Sequence, residues 1–105
     1  MKDDELLRVL LDDVEETYAT EGWFPLYNLA WALRGILPSI PPERIELLSR
    51  QAYDLFTRRH DVRLVWGRWP LSNGEMWPAQ PGTPLDFDLD PEGDVNEPLL
   101  VLVPA

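Results

Sequence analysis

"PLLVLVPA", residues 98–105, is the stretch on which the fold turns: five consecutive apolar residues bracketed by Pro98 and Pro104. A short run without polar alternation suits a strand buried on both faces, and it predicts a strand over 98–103. A second β-rich stretch, "DVRLVWGRW" at 61–69, alternates Val62, Leu64 and Trp66 against Arg63 and Val65, which predicts a strand over 62–69.

Three helices precede these strands. Leu7, Leu11, Val14 and Tyr18 recur at helical spacing with Leu6 and Leu10 widening the stripe, giving a helix over 3–19 that Gly22 stops. Asp3, Asp4 and Glu5 sit where the positive end of the helix dipole favours them. The outer face carries Asp12, Asp13, Glu15 and Glu16, and Asp12 repels Glu16 one turn on. Phe24 precedes a proline and reads as extended, Pro25 suits a first helical turn, and Leu26, Leu29, Ala30 and Leu33 give a helix over 25–35 ended by Gly35 and Pro38. Tyr27 and Trp31, four apart, read as core packing.

The third helix spans 42–60, with Ile45, Leu48, Ala52, Leu55 and Phe56 on one stripe. Its outer face alternates Glu46, Arg50, Asp54 and Arg58, a ladder that can satisfy itself at roughly 0.2–0.5 kcal/mol per pair. His60, the only histidine, stands at the C-terminal end, where a cation is favoured by the dipole, and reads as structural.

Residues 70–97 form a long connection with five prolines. Its first half is turn-rich, with Trp77 as the anchor to the core. Its second half, "LDFDLD", alternates Leu85, Phe87 and Leu89 with Asp86, Asp88 and Asp90, which predicts a half-buried strand over 85–89 whose aspartates face outward. A calcium loop fits less well. Asp86, Asp88, Asp90 and Glu97 match its acidic positions, but Pro91 stands where the sharp turn needs glycine.

The formal net charge of −10 is unevenly spread: −6 over residues 1–33, +3 over 34–68 and −7 over 69–105. That total disfavours nucleic acid and anionic lipid as non-specific partners. An apolar content of 45% with five tryptophans argues for a packed core, and 105 residues make one domain. The absence of cysteine excludes disulfides and thiolate chemistry. No apolar run nears the ~20 residues that span a bilayer, so the expectation is a soluble, cytoplasmic protein. No phosphate-cradling loop, metal-ligand spacing or nucleophile elbow is present, so no enzyme activity, cofactor or metal is expected.

The order helix, short extended piece, helix, helix, strand, long connection, strand resembles the winged-helix family of helix-turn-helix domains. The resemblance implies an α+β domain of three helices and a small antiparallel sheet, with residues 25–35 and 42–59 as the helix-turn-helix pair and a long acidic wing before 98–103. It further implies that Arg44 and Arg50 face DNA and that Arg63 and Arg68 lie at the base of the wing. The wing departs from the family's short basic form, and winged helices also serve protein contacts. The expected function is therefore a non-catalytic protein-interaction module whose acidic surface, Asp12, Asp13, Glu16, Asp86, Asp88 and Asp90, meets a basic partner protein. Two alternatives stand beside it: a DNA-binding transcriptional regulator, as a homodimer, using Arg44, Arg50, Arg63 and Arg68, and an acidic DNA mimic that blocks a nucleic-acid-binding protein.

Overall fold

In the structure, a computed structural model that describes residues 2–68, 71, 75–87 and 98–105, the elements run α1 (Asp3–Glu21), β1 (Phe24–Pro25), α2 (Tyr27–Ile36), α3 (Pro42–Arg59), β2 (Val62–Gly67), β3 (Met76–Pro78) and β4 (Leu99–Pro104). The class is α+β: three helices and one antiparallel sheet of order β1-β4-β2-β3.

β4 lies inside the sheet, between β1 and β2, and its apolar run is covered on both faces as its sequence requires. Leu100 and Leu102 enter the core built by the helices, where Leu6, Leu10, Leu33, Leu48 and Phe56 are fully or almost fully buried. Leu99, Val101 and Val103 point the other way and pack with Val65, Tyr27 and Leu71. Each such side chain contributes roughly 1.5–3 kcal/mol on leaving water. β2 pairs with β4 over its whole length, from Val62↔Pro104 to Gly67↔Leu99.

Proline closes both outer strands. In β1, Leu26 N–H donates to Leu100 O at 3.0 Å, so residues 24 and 26 face β4 and Pro25 stands at the position whose N–H would point outward. In β3, Ala79 N–H donates to Leu64 O at 3.2 Å. By the same alternation, Pro78 lacks the N–H that would face solvent. Edge strands are where proline is tolerated, and there it stops another chain from adding to the sheet.

α1 ends as expected at Gly22, whose φ of 81° is left-handed and whose N–H caps Tyr18 O at 2.9 Å. Its deepest side chains are Leu6 and Leu10; Leu7 and Tyr18 are only partly buried, so the stripe is turned toward the residues read as its margin. α3 opens with Pro42 in its first turn and closes at His60.

Several expectations are corrected. Pro25 belongs to β1, because its neighbours bond to β4 before the helix begins, and Gly35 lies inside α2. Trp31 is 45% exposed and only edges onto Tyr27, with ring centroids 5.4 Å apart, so Tyr27 alone is core. Residues 85–87 are not a strand; the alternation survives as burial, with Phe87 at 1% exposure and Asp86 exposed. Phe87 is held by α3, edge-on to Tyr53 at 5.9 Å and under the Arg50 guanidinium at 5.5 Å. The outer edge of β2 is taken instead by β3, inside the stretch read as turns. Trp77, read as a core anchor, is half-buried on β3 opposite Trp66. Residues 88 and 89 of the expected strand, and most of the acidic wing, lie outside the described residues.

At Gly67, the last residue of β2, the fit is tight: a Cβ there would stand 3.0 Å from Leu71 Cδ2 and 3.4 Å from Val101 Cγ2, so the Leu71 side chain would have to give way. Gly67→Ala is expected to destabilise the protein by about 1–3 kcal/mol through overpacking. Its combination with Leu71→Ala should cost less than the two single changes added together, as read by denaturant unfolding.

Candidate interaction surface

Solvent meets two kinds of charged face, and they differ in whether the charges are already matched. The basic middle segment is largely matched from within. Arg44 on α3 reaches back to α1, where its guanidinium pairs with Asp3, Nε donating to Oδ1 at 2.7 Å. Arg50 pairs with Glu46 one turn earlier at 2.8 Å and also covers the Phe87 ring. Arg68 lies 3.5 Å from Glu75 and 5.0 Å from the Trp77 ring centroid. These are exposed pairs, each contributing on the order of 0–1 kcal/mol. Their consequence is geometric, because three of the four arginines considered for DNA are oriented by the protein's own carboxylates and rings. The exposed face of α3 also carries Glu43, Glu46, Asp54 and Leu47, the last 51% exposed. Arg63 is the exception: it is exposed on β2 and has no carboxylate partner among the described residues.

Of the four acids on the outer face of α1, Asp12, Asp13, Glu15 and Glu16, Glu15 alone has a basic partner among the described residues. Glu15 accepts from His60 Nε2 at 2.7 and 2.9 Å, with Arg59 3.9 Å away. The His60 ring packs on Phe56 at 4.6 Å and near Tyr18 at 5.6 Å, while its backbone N–H caps Phe56 O. The histidine therefore ties the end of α3 to the middle of α1, a structural role beyond the expected interaction with the dipole.

Asp12, Asp13 and Glu16 remain exposed and have no basic partner among the described residues. Loss of solvent around Asp13, and secondarily the nearby Glu16, raises its carboxyl above the ordinary 3.8. Asp86 is exposed beside α3, on a different element from the α1 acids, and Asp88 and Asp90 lie outside the described residues. No group of three or more His, Asp or Glu side chains converges as a metal site among the described residues. Among those same residues no helix is long and apolar enough to cross a membrane.

Sequence reasoning missed a groove of about 470 Å³ where the chain leaves β3, bordered by Tyr53, Arg63, Leu64, Pro78, Pro81 and Leu85. The Tyr53 phenol is pushed up by burial, then by Asp54, against a lowering from Arg50, so it stays a hydroxyl donor at neutral pH. Among these residues the sequence marks only Arg63 as a binding residue; Leu64 and Leu85 read as strand positions. The others are apolar or turn residues whose convergence depends on the tertiary path. No protein-family model, curated protein or solved structure matches this chain.

A carboxyl raised in the folded state binds its proton more tightly there than in the unfolded chain, so folding loses stability as pH climbs from 3.8. Asp13→Asn should therefore raise the melting temperature slightly at neutral pH, and the gain should vanish when melting is measured below pH 3.8.

Proposed function

We propose that this chain is a non-catalytic, cytoplasmic interaction module of winged-helix type that meets a basic protein partner through the acidic outer face of α1. One observation carries the reading: Asp12, Asp13 and Glu16 face solvent without internal cations, whereas Arg44, Arg50 and Arg68 are engaged with Asp3, Glu46 and Glu75. The placement of β1 and β2 on opposite sides of β4, with α2 and α3 between the first two strands in sequence, supports the winged-helix part. Unmatched like charges on one helix face favour fast, salt-sensitive association with a surface of opposite sign, and give orientation more than raw affinity. A protein of net charge −10 also repels a phosphate backbone unless a cationic patch is presented to it. The arginines of α3 are held beside acids that would approach the same phosphates.

The test uses a fluorescently tagged lysine- and arginine-rich peptide and a mixed-sequence DNA duplex, both followed by anisotropy at low and moderate salt. The peptide should bind in a salt-dependent manner. Combined Asp12→Asn, Asp13→Asn and Glu16→Gln should weaken it several-fold more than combined Glu5→Gln, Glu43→Gln and Glu75→Gln, which removes the same charge elsewhere. The duplex should not bind. Duplex binding that is lost on Arg44→Ala with Arg50→Ala would overturn the proposal in favour of a DNA-binding regulator.

A further inference from the structure

The sheet is closed by proline at both outer strands, but one stretch of edge is left open. Hydrogen-bond alternation in β2 sends residues 61, 63, 65 and 67 toward β4, as the Ala105 N–H to Asp61 O bond of 3.0 Å shows. Residues 62, 64 and 66 face the other way, toward β3. Trp66 is matched by Trp77 and Leu64 by Ala79. Val62 would next be matched by Pro81, which has no N–H to give. The chain instead turns away, with Thr83 N–H and Oγ1 both donating to Gln80 O at 3.1 and 2.5 Å. No backbone hydrogen bond at this edge reaches Val62 among the described residues. The space opened by that departure is the groove of about 470 Å³, within the range of sites that hold a ligand.

The open edge offers the Val62 N–H and C=O, and the groove beside it carries the Tyr53 hydroxyl and the Arg63 guanidinium, neither side chain with a hydrogen-bond partner among the described residues. We propose that this edge binds an extended peptide strand with alternating apolar and acidic side chains, added to β2 at Val62. Strand parity fixes the pattern. Val62 and Leu64 pack on the helix side of the sheet, and Arg63 stands on the other face. The peptide residue opposite Val62 therefore turns its side chain toward Tyr53 and Leu64, which favours an apolar group. The residue next to it shares a face with Arg63, and a carboxylate there forms the cross-strand charge pair. This site is separate from the acidic face of α1 and opposite to it in charge preference, so neither proposal depends on the other.

The experiment is calorimetric titration of the full chain with three acetylated and amidated pentapeptides that alternate valine with glutamate, glutamine or lysine. Moderate salt screens the overall negative charge. The glutamate peptide should bind tightest. Arg63→Glu should weaken it at least tenfold and make the lysine peptide the best ligand. Val62→Pro removes the open donor together with the Val62 side chain and should abolish binding of all three while the circular dichroism of the fold is kept. Should that variant not fold, the Arg63→Glu exchange of preference decides alone. Combined Asp12→Asn, Asp13→Asn and Glu16→Gln should leave the glutamate peptide's binding undiminished. No binding of any peptide, or binding indifferent to Arg63→Glu, overturns the proposal.

Discussion

Everything else in this structure hangs on the burial of β4 from both sides. A strand of five apolar residues cannot lie at an edge or face water, so it takes the interior of the sheet, and β1 and β2 are drawn to its two flanks. The helices then cover Leu100 and Leu102, while Tyr27 and Leu71 cover Leu99, Val101 and Val103. Gly67 belongs to the same packing, since Leu71 lies close over it, 3.0 Å from where a Cβ would stand. With the interior assigned, the outer strands need only be short, and proline keeps them from recruiting further chains.

Charge follows from this frame. Packing α1 against α3 brings Asp3 to Arg44 and Glu15 to His60 and Arg59, so the helix-helix seam engages arginines from the basic middle of the chain. The side of α3 toward Phe87 engages another, Arg50, between Glu46 and the ring. Among the described residues, Asp12, Asp13 and Glu16 on the outer face of α1 and Arg63 at the open end of β2 are exposed without an ion-pair partner. Each pair takes up one charge of either sign, so the formal net charge of −10 is unchanged by folding, while several arginines of the basic centre come to sit beside carboxylates.

Much of the fold was legible because its strongest signals are periodic or extreme: the helical stripes of α1 and α3, the glycine stop at Gly22 and the unbroken apolar run of β4. The rest failed for physical reasons. β3 is three residues long and ends in proline, too short to show a period and punctuated like a turn. Residues 85–87 do alternate in burial, but the register that would make them a strand was already taken by β3, and Phe87 packs on α3 instead. Of the candidate surface, the α1 acids were readable as the polar side of an amphipathic helix. Arg44's partner, forty-one residues away in Asp3, was not. Nor was the opening at Val62, which exists only because Pro81 falls opposite it.

Amide hydrogen exchange, resolved by residue, tests this account most directly. Leu99 to Val103 should exchange only through global unfolding, with protection matching the stability from denaturant melts. Arg63, Val65 and Gly67, bonded to β4, should follow them, while the Val62 amide exchanges orders of magnitude faster than its neighbour Arg63. Fast exchange along β4, or a Val62 amide as protected as Arg63, would contradict a sheet organised around a doubly buried strand with one open edge.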